Sequence, residues 1–147
     1  MKYCISVVVI ILALMGTIYS SGGVIVTYLD IPSLILSVLL PAILMIVLYG
    51  FTDLKMMLRA PFDPKTSREN LFKADAFYKT FSRLSLAAGC IAVLIGVIAM
   101  LKNLEDPTAV GPNMAVSLIS LFYAGLVNVL VIPLRVMIQK KLDSSYK

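Results

Sequence analysis

Four long stretches of this 147-residue sequence contain no Asp, Glu, Lys, Arg or His. They cover residues 3–29, 31–52, 84–101 and 107–134. Each is long enough to cross about 30 Å of hydrocarbon at a rise of about 1.5 Å per residue. Apolar residues run through them without alternation, which favours helices over a membrane β-barrel. Only 14% of the chain is charged, against roughly 25% in soluble domains. The sequence therefore predicts an all-α membrane protein with four transmembrane helices.

The basic residues predict the orientation and the division of the chain. Cytoplasmic loops collect Lys and Arg, and an N-in, C-in arrangement places every basic residue except Lys102 inside. The sequence from 70 to 85 is predicted to form an amphipathic helix that continues into the third span, so the third and fourth helices extend into the cytoplasm. Residues 1–52 are predicted to form the first two transmembrane helices, and residues 53–83 a short basic cytoplasmic loop with the amphipathic helix. Residues 84–138 are predicted to form the other two transmembrane helices, and residues 139–147 a cytoplasmic tail.

Several functional classes are disfavoured by composition. The net charge of +5 is explained by loops that contact anionic lipid headgroups, so the bilayer and not nucleic acid is the expected partner. Cys4 and Cys90 are predicted to be buried, unpaired thiols. With no His and no cysteine cluster, we expect neither a metal nor another cofactor, and no enzyme. Transporters that move ions alone usually carry an ionisable residue within a span. Here either no ion is moved, or a partner chain supplies the charge.

Small and polar residues form a stripe on each of the last two spans. On the third span the spacing is 4, 3, 4, 3, and on the fourth it is 4, 3, 4, 4, so each set shares one helix face. The stripe on the third span contains Ser85, Gly89, Ala92, Gly96 and Ala99. The stripe on the fourth span contains Asn113, Ser117, Ser120, Ala124 and Asn128. Two interpretations are open: close packing within the chain, with serines bonded to their own i−4 carbonyls, or the wall of a narrow path that admits a foreign helix. Asn128 must face protein or water, since an unpaired amide in lipid is costly.

Three motifs resemble the MotA branch of the MotA/TolQ/ExbB proton-channel family. "NLEDPTAVGPNMAVSLISLFYAGLVNVLVIPL" is similar to that branch's L-D/E-D-P, I-G-P-x-M/L-A-V-A-L-L-T-T-L-Y-G and later Asn and Pro. "GCIAVLIGVIAML" resembles its G-x-I-G-T-L-I-G-L-V-x-M-L. "SGGVIVTYLDIPSLIL" resembles its G-G-x-x-x-x-Y/F-x-D-I-P-S turn into the second helix. The motifs occur in the family's order and span most of the membrane part.

The resemblance implies a subunit of an ion-driven stator in the bacterial inner membrane. In this family a pentamer surrounds single-span partner helices of the MotB/ExbD/TolR kind, and each partner carries an intramembrane Asp that binds the ion. The two stripes would then line the ion pathway beside the partner helix. The implied lining is Ser117, Ser120, Ala124, Asn128, Gly89, Ala92, Val93 and Gly96. The resemblance also implies that Pro112, Pro133 and Pro32 are helix-start or hinge prolines.

Departures from the family pattern shape these expectations. Val93 stands where sodium-using members have Thr, which favours H⁺, and Ser120 is the one hydroxyl left from the family's Thr-Thr pair. Leu86 replaces a proline at the start of the third helix. Residues 53–83 replace a much longer cytoplasmic domain, so the family's rotor-gripping charges cannot be transferred. The alternatives are a structural membrane scaffold of the same fold without ion flux and, disfavoured by the uncharged spans, an unrelated four-helix transporter.

Overall fold

Five helices account for most of the chain in the computed structural model, which describes residues 2–144 except for the side chains of Lys2, Pro107 and Ala109. They are α1 (Lys2–Ser20), α2 (Ile31–Tyr49), α3 (Phe51–Arg59), α4 (Arg68–Lys102) and α5 (Pro107–Ser144). Within the described residues α1, α2, α4 and α5 are long and apolar enough to cross a membrane, and no strand is present. The predicted all-α fold with four spanning helices is confirmed. The N-in, C-in orientation stays a prediction, and residues 145–147 of the predicted tail lie outside the described residues.

The α4–α5 pair is the longest part of the structure. The two helices contain 35 and 38 residues, so each is about 50 Å long or more at a rise of about 1.5 Å per residue. A bilayer core is about 30 Å thick, so both helices extend well beyond it, as predicted. The divisions predicted after residues 83 and 138 fall inside these continuous helices. We call the end of the bundle that carries α3 the α3 end, and the opposite end the turn end.

Asp residues cap the two helices that begin at the turn end. The Asp30 carboxylate accepts a hydrogen bond from the backbone N–H of Ser33 at 2.8 Å, and Pro32 lies in the first turn of α2, as the Asp-Ile-Pro sequence predicts. At α5, the Asp106 carboxylate accepts bonds from the backbone N–H and the hydroxyl of Thr108 at 3.0 and 2.6 Å. These two bonds hold the pKa of the Asp106 carboxyl below its usual value.

The start of α5 corrects the prediction for Pro112. A helix-start role for that residue is wrong, because the helix starts at Pro107 and Pro112 lies inside it, as Pro133 does. The physical reason is the Asp106 cap, which satisfies the N–H of Thr108 and so allows the helix to begin one and a half turns earlier. A proline also suits a first helical position, because no intrahelical bond is required of it there. A hinge role of Pro112 and Pro133 stays a prediction.

A proline inside α2 is accommodated by a local change of helix type. Residues Ile35–Leu39 form a π-helical turn immediately before Pro41. Proline has no N–H to donate and its ring presses on the carbonyl four residues earlier, here that of Ser37. That carbonyl instead accepts a hydrogen bond from the Ser85 hydroxyl of α4 at 2.8 Å. A neighbouring helix therefore supplies the donor that proline lacks, as spans with internal prolines require.

The apolar core is concentrated at the α3 end. Gly50 has φ +75°, a conformation that favours glycine, and it turns the chain from α2 into α3. α3 then packs its inner face on the extensions of α4 and α5, where the core contains Met45, Met57, Leu71, Phe77, Tyr78 and Ile138. An ion pair also joins the two extensions, since Arg135 Nε lies 3.2 Å from Asp75 Oδ1. The portions of α4 and α5 beyond the bilayer thus have a core of their own.

α1 lies at the edge of the bundle. None of its spanning residues is buried within the chain, and its apolar side chains face outward. Cys4 on α1 and Cys90 on α4 are both free and exposed on the surface of the chain. The prediction that they are buried was wrong, because each lies on a helix face directed away from the other helices. In a bilayer such faces contact lipid or another protein.

Candidate functional site: a buried hydroxyl cluster

Four serines meet where α2, α4 and α5 cross. Ser33 and Ser37 come from α2, Ser85 from α4 and Ser120 from α5, and none exposes more than 2% of its surface. The first two are one helical turn apart and so share a face of α2. We call these four residues the hydroxyl cluster. Buried hydroxyls are costly unless they are hydrogen-bonded, so their partners decide what the cluster can do.

The first half of the cluster joins α2 to α5. The Ser120 hydroxyl lies 2.8 Å from the Ser33 hydroxyl, and the carbonyl of Val116 accepts from both at 3.0 and 3.1 Å. Ser120 therefore bonds to its own i−4 carbonyl, as does Ser117 with the Asn113 carbonyl at 2.8 Å. The expected intrahelical bonds of the serines are present, and Ser120 adds a contact between helices.

The second half of the cluster links all three helices. The Ser37 hydroxyl donates to the Ser120 carbonyl at 2.9 Å, while the Ser37 carbonyl accepts from Ser85 at 2.8 Å. Ser37, Ser85 and Ser120 therefore each form a hydrogen bond to a residue of another helix. Among the described residues, no buried side-chain nitrogen or oxygen lacks a hydrogen-bond partner. The cluster is a fully bonded polar layer within an apolar bundle.

The two predicted stripes face each other across the α4–α5 contact. A Cβ added to Gly89 would come within 2.5 Å of the Ala124 Cβ and 3.4 Å of the Ser120 carbonyl oxygen. At Gly96 the added atom would meet the Ser117 side chain and lie 3.2 Å from the Asn113 carbonyl oxygen. Glycine at these two positions is what allows the backbones to come so close. The interpretation of close packing within the chain therefore holds for Gly89, Gly96, Ser117 and Ala124.

A cavity of about 180 Å³ opens beside this contact, towards the turn end. Its lining includes Pro32 and Ser33 of α2, Ala92 and Gly96 of α4, and Asn113 and Ser120 of α5. The predicted pathway residues Ala92, Gly96 and Ser120 therefore share one cavity. Val93 is half-buried and is not among the residues that line it. A role for these residues towards a partner helix stays a prediction.

Asn128 lies away from the cavity, nearer the α3 end. Its side-chain oxygen accepts from the Ser82 hydroxyl, and its amide donates to the carbonyls of Ala124 at 2.8 Å and Ser82 at 3.3 Å. The amide therefore contacts protein, as expected for a polar group in a span. The residues of the stripe on α5 therefore have three different surroundings. Some line the cavity, some lie in the close α4–α5 contact, and Asn128 bonds separately to α4.

Sequence reasoning missed three members of the polar network. Ser33 and Ser37 are four residues apart in the second span, so the helical repeat alone predicts that they share a face. Tyr123 donates its hydroxyl to the Tyr28 carbonyl at 2.6 Å and accepts from the Asp30 N–H at 3.3 Å. It holds the turn before α2 against α5. No local pattern signals that contact, because its members are over 90 residues apart.

The chemistry of the cavity is that of neutral groups. Its polar lining consists of hydroxyl, amide and carbonyl groups, which accept and donate hydrogen bonds without holding a net charge. Residues 2–144 contain no group of three or more His, Cys, Asp or Glu placed to hold a metal ion. Such a lining can form hydrogen bonds to a polar or charged group, and it carries no charge of its own.

Similarity to known proteins agrees with the motifs. The chain is 41% identical over 88 residues to Motility protein A of Aquifex aeolicus, which covers 59% of this chain and 33% of that protein. It is 39% identical over 51 residues to Chemotaxis protein PomA of Vibrio alginolyticus, covering 35% and 20%. A third relative is Motility protein A of Borreliella burgdorferi, 39% identical over 64 residues, covering 43% and 25%. Over these partial stretches the chain is similar to MotA and PomA motility proteins.

The likeness is partial in extent. The chain spans a third or less of the length of these relatives, and no family model matches it. The four long apolar helices, together with these similarities, support a multi-pass membrane protein.

Proposed function

We propose that this MotA-like chain is a subunit of an ion-driven stator ring in the bacterial inner membrane. The ring, of five copies by family resemblance, surrounds a single-span MotB/ExbD/TolR-like partner whose intramembrane Asp binds the ion, and it converts ion flux to mechanical work. The observation that carries the proposal is the pairing of MotA-like motifs with spans that contain no ionisable residue. A membrane ion pathway usually requires an ionisable residue. In this protein a second chain supplies that group.

The cavity beside the hydroxyl cluster is the place where we expect the partner's carboxylate to dock. Ala92 and Gly96 leave its α4 wall without bulky side chains, and Ser120 and Asn113 are the polar residues of its α5 wall. An entering carboxylate needs donors to replace water, and a hydroxyl or amide provides them. The partner helix would then contact the edge of the α4–α5 pair and leave its packing intact.

The proposed ion is H⁺. A sodium ion needs several oxygen ligands, and the position where sodium-using relatives have Thr is Val93, which has none. A proton needs only one acceptor at a time, namely the partner's Asp. Neutral serine hydroxyls and an asparagine amide can stabilise either protonation state of that group through hydrogen bonds.

A structural scaffold without ion flux is the second candidate. The observation that favours it is the complete hydrogen bonding of the hydroxyl cluster within the chain, which leaves no buried polar side chain of the described residues waiting for a partner. In that case the cluster and the close α4–α5 contact serve to hold the bundle together. The two candidates make opposite predictions for ion uptake.

Proton uptake into vesicles tests the stator proposal. The chain is purified with the single-span protein that co-purifies with it, reconstituted, and followed with a pH-sensitive dye under an imposed potential. We expect uptake only when both chains are present, uptake that persists without Na⁺, and its loss when the partner's intramembrane Asp is changed to Asn. Absence of such a partner, or equal uptake with and without it, would contradict the proposal; strict Na⁺ dependence would overturn the assignment of H⁺.

Ser120→Ala is expected to lower the initial uptake rate about tenfold, since a hydroxyl bonded to a charged group contributes roughly 1.5–3 kcal/mol. Alanine is chosen because Ser120 is 2% exposed and a larger residue would force α2 away from α5. The matched control is Thr17→Ala, which removes an exposed hydroxyl bonded to its own i−4 carbonyl on α1. If Ser120→Ala and the control conduct equally, Ser120 is not part of the pathway.

A further inference from the structure

A cavity of about 530 Å³ lies at the α3 end, between α3, the loop that follows it and the first turn of α4. Its polar lining includes Lys55, Arg59, Lys65, Thr66, Ser67 and Asn70. Lys55 and Arg59 are one helical turn apart on α3, so both side chains project from the same face. The loop brings Lys65 to the same opening. We call this the basic cavity; the hydroxyl cluster and its own cavity lie elsewhere, towards the turn end.

The charges of the basic cavity are poorly balanced. Three cations line it, and Asp63 is the one acidic residue in its lining, so the formal excess is two positive charges. The Asp63 carboxylate also accepts the backbone N–H of Lys65 at 2.9 Å. Within residues 2–144, Lys55, Arg59 and Lys65 form no ion pair, and all three are exposed. Three cations against one carboxylate around a single opening favour the binding of an anion there.

The loop that forms the cavity is held in place. The Lys141 amine of α5 donates to the carbonyls of Ala60 and Asp63, each at 2.9 Å. The Asp63 carbonyl also accepts from the Thr66 hydroxyl at 3.0 Å, and the Ser67 hydroxyl accepts the N–H of Asn70 at 3.4 Å to cap α4. The three cations are therefore presented by a fixed frame, which lowers the entropic cost of binding a ligand there.

Apolar side chains beside the cavity indicate the kind of anion. Phe51, Leu58 and Phe62 are 73%, 48% and 55% exposed, and they belong to α3 and its loop, directly after α2 leaves the membrane. Within α3, Phe51 and Leu58 are four and three residues from Lys55, so these apolar side chains project on the same side of the helix as that lysine. A helix of this kind lies along the headgroup region, where apolar side chains contact acyl chains and basic ones contact phosphates.

We propose that the basic cavity binds the phosphate of an anionic phospholipid, and that Lys55, Arg59 and Lys65 contact that phosphate. The acyl chains lie against Phe51, Leu58 and Phe62. One lipid bound in this way fixes α3 at the membrane surface and with it the start of α4. This binding requires neither ion flux nor a partner chain, so it is tested independently of the stator proposal.

Native mass spectrometry of the full chain released from nanodiscs tests this site. Discs contain phosphatidylcholine alone or phosphatidylcholine with phosphatidylglycerol, and the number of lipids retained per chain is counted. We expect one phosphatidylglycerol to be retained in preference to phosphatidylcholine. The triple variant Lys55→Gln, Arg59→Gln, Lys65→Gln is expected to lose at least about tenfold in retention, since each basic residue near an anionic surface contributes a several-fold preference.

A second triple variant controls for net charge. Lys79→Gln, Arg83→Gln, Lys140→Gln removes the same charge from exposed residues outside the cavity, and we expect retention to change less than about twofold. An equal loss in both variants would show diffuse attraction and overturn the assignment of a site. Excess inorganic phosphate is added in a further arm. Retention of that phosphate, with no preference for phosphatidylglycerol, would assign the cavity to a soluble phosphate and overturn the lipid proposal.

Discussion

Gly89→Ala is expected to lower the free energy of unfolding of the chain by about 1–3 kcal/mol, which is typical of an inserted methyl in a close-packed core. The new Cβ would come within 2.5 Å of the Ala124 Cβ, and neither atom can rotate away because both are fixed by their helix backbones. α4 and α5 must therefore separate along their contact. The measurement is SDS-induced unfolding in mixed micelles, followed by the loss of helical circular dichroism.

The neighbour across the contact provides a specific rescue. Ala124→Gly removes the opposing methyl, so the double variant Gly89→Ala, Ala124→Gly should be no less stable than Ala124→Gly alone, which itself costs about 1 kcal/mol in helix propensity. Gly125→Ala is the matched control, since a Cβ there meets nothing within 4 Å, and we expect no loss of stability. If the two substitutions at 89 and 124 destabilise additively, the close contact between these positions does not exist.

Ser85→Ala is expected to cost about 1–3 kcal/mol, the usual penalty for a buried polar group left without its partner. The group left without its donor is the Ser37 carbonyl, which cannot obtain a bond from the N–H that Pro41 lacks. Both serines are fully buried, so water cannot replace the lost hydroxyl without opening the bundle. The same SDS titration measures the loss, and hydrogen exchange of the α2 amides is expected to accelerate.

Removing the proline tests the reason for this cost. In a Pro41→Ala background, residue 41 regains an N–H that can bond to the Ser37 carbonyl, so Ser85→Ala should cost markedly less than in the natural sequence. Ser21→Ala serves as the control, because it removes an exposed hydroxyl that bonds to the Thr17 carbonyl in the last turn of α1. An unchanged cost of Ser85→Ala in the two backgrounds would show that the hydroxyl acts independently of the proline.

The two contacts together position the cavity proposed for the partner helix. The Gly89–Ala124 contact sets the distance between α4 and α5, and the Ser37–Ser85 bond sets where α2 lies against them. Ser33, which reaches the cavity from α2, moves with that helix. Variants at Gly89 and Ser85 are therefore expected to disturb ion uptake through the position of Ser33 and Ser120, without touching the ion themselves.

The positions of the helices were largely predictable from particular residues. The uncharged runs predicted four spans, Asp30 with Pro32 predicted the start of α2, and the amphipathic sequence before residue 84 predicted that the third helix continues beyond the membrane. The prediction of a helix start at Pro112 was wrong, because the Asp106 carboxylate caps a helix that begins five residues earlier, at Pro107. It was also wrong for Cys4 and Cys90, since the face on which an apolar helix buries a residue depends on its neighbours.

The sequence by itself determined which segments cross a membrane, where charge is missing and which residues share a helix face. These properties follow from hydropathy and from the helical repeat, which are local. Only the tertiary structure decided what the faces contact. For Ser117 and Gly96 the sequence left open packing within the chain or contact with a foreign helix, and the structure places them against each other. Ser120 bonds to a serine 87 residues away. The rotation of each helix about its axis is set by close packing and hydrogen bonds between distant segments. The sequence of a single segment does not show which other segments pack against it.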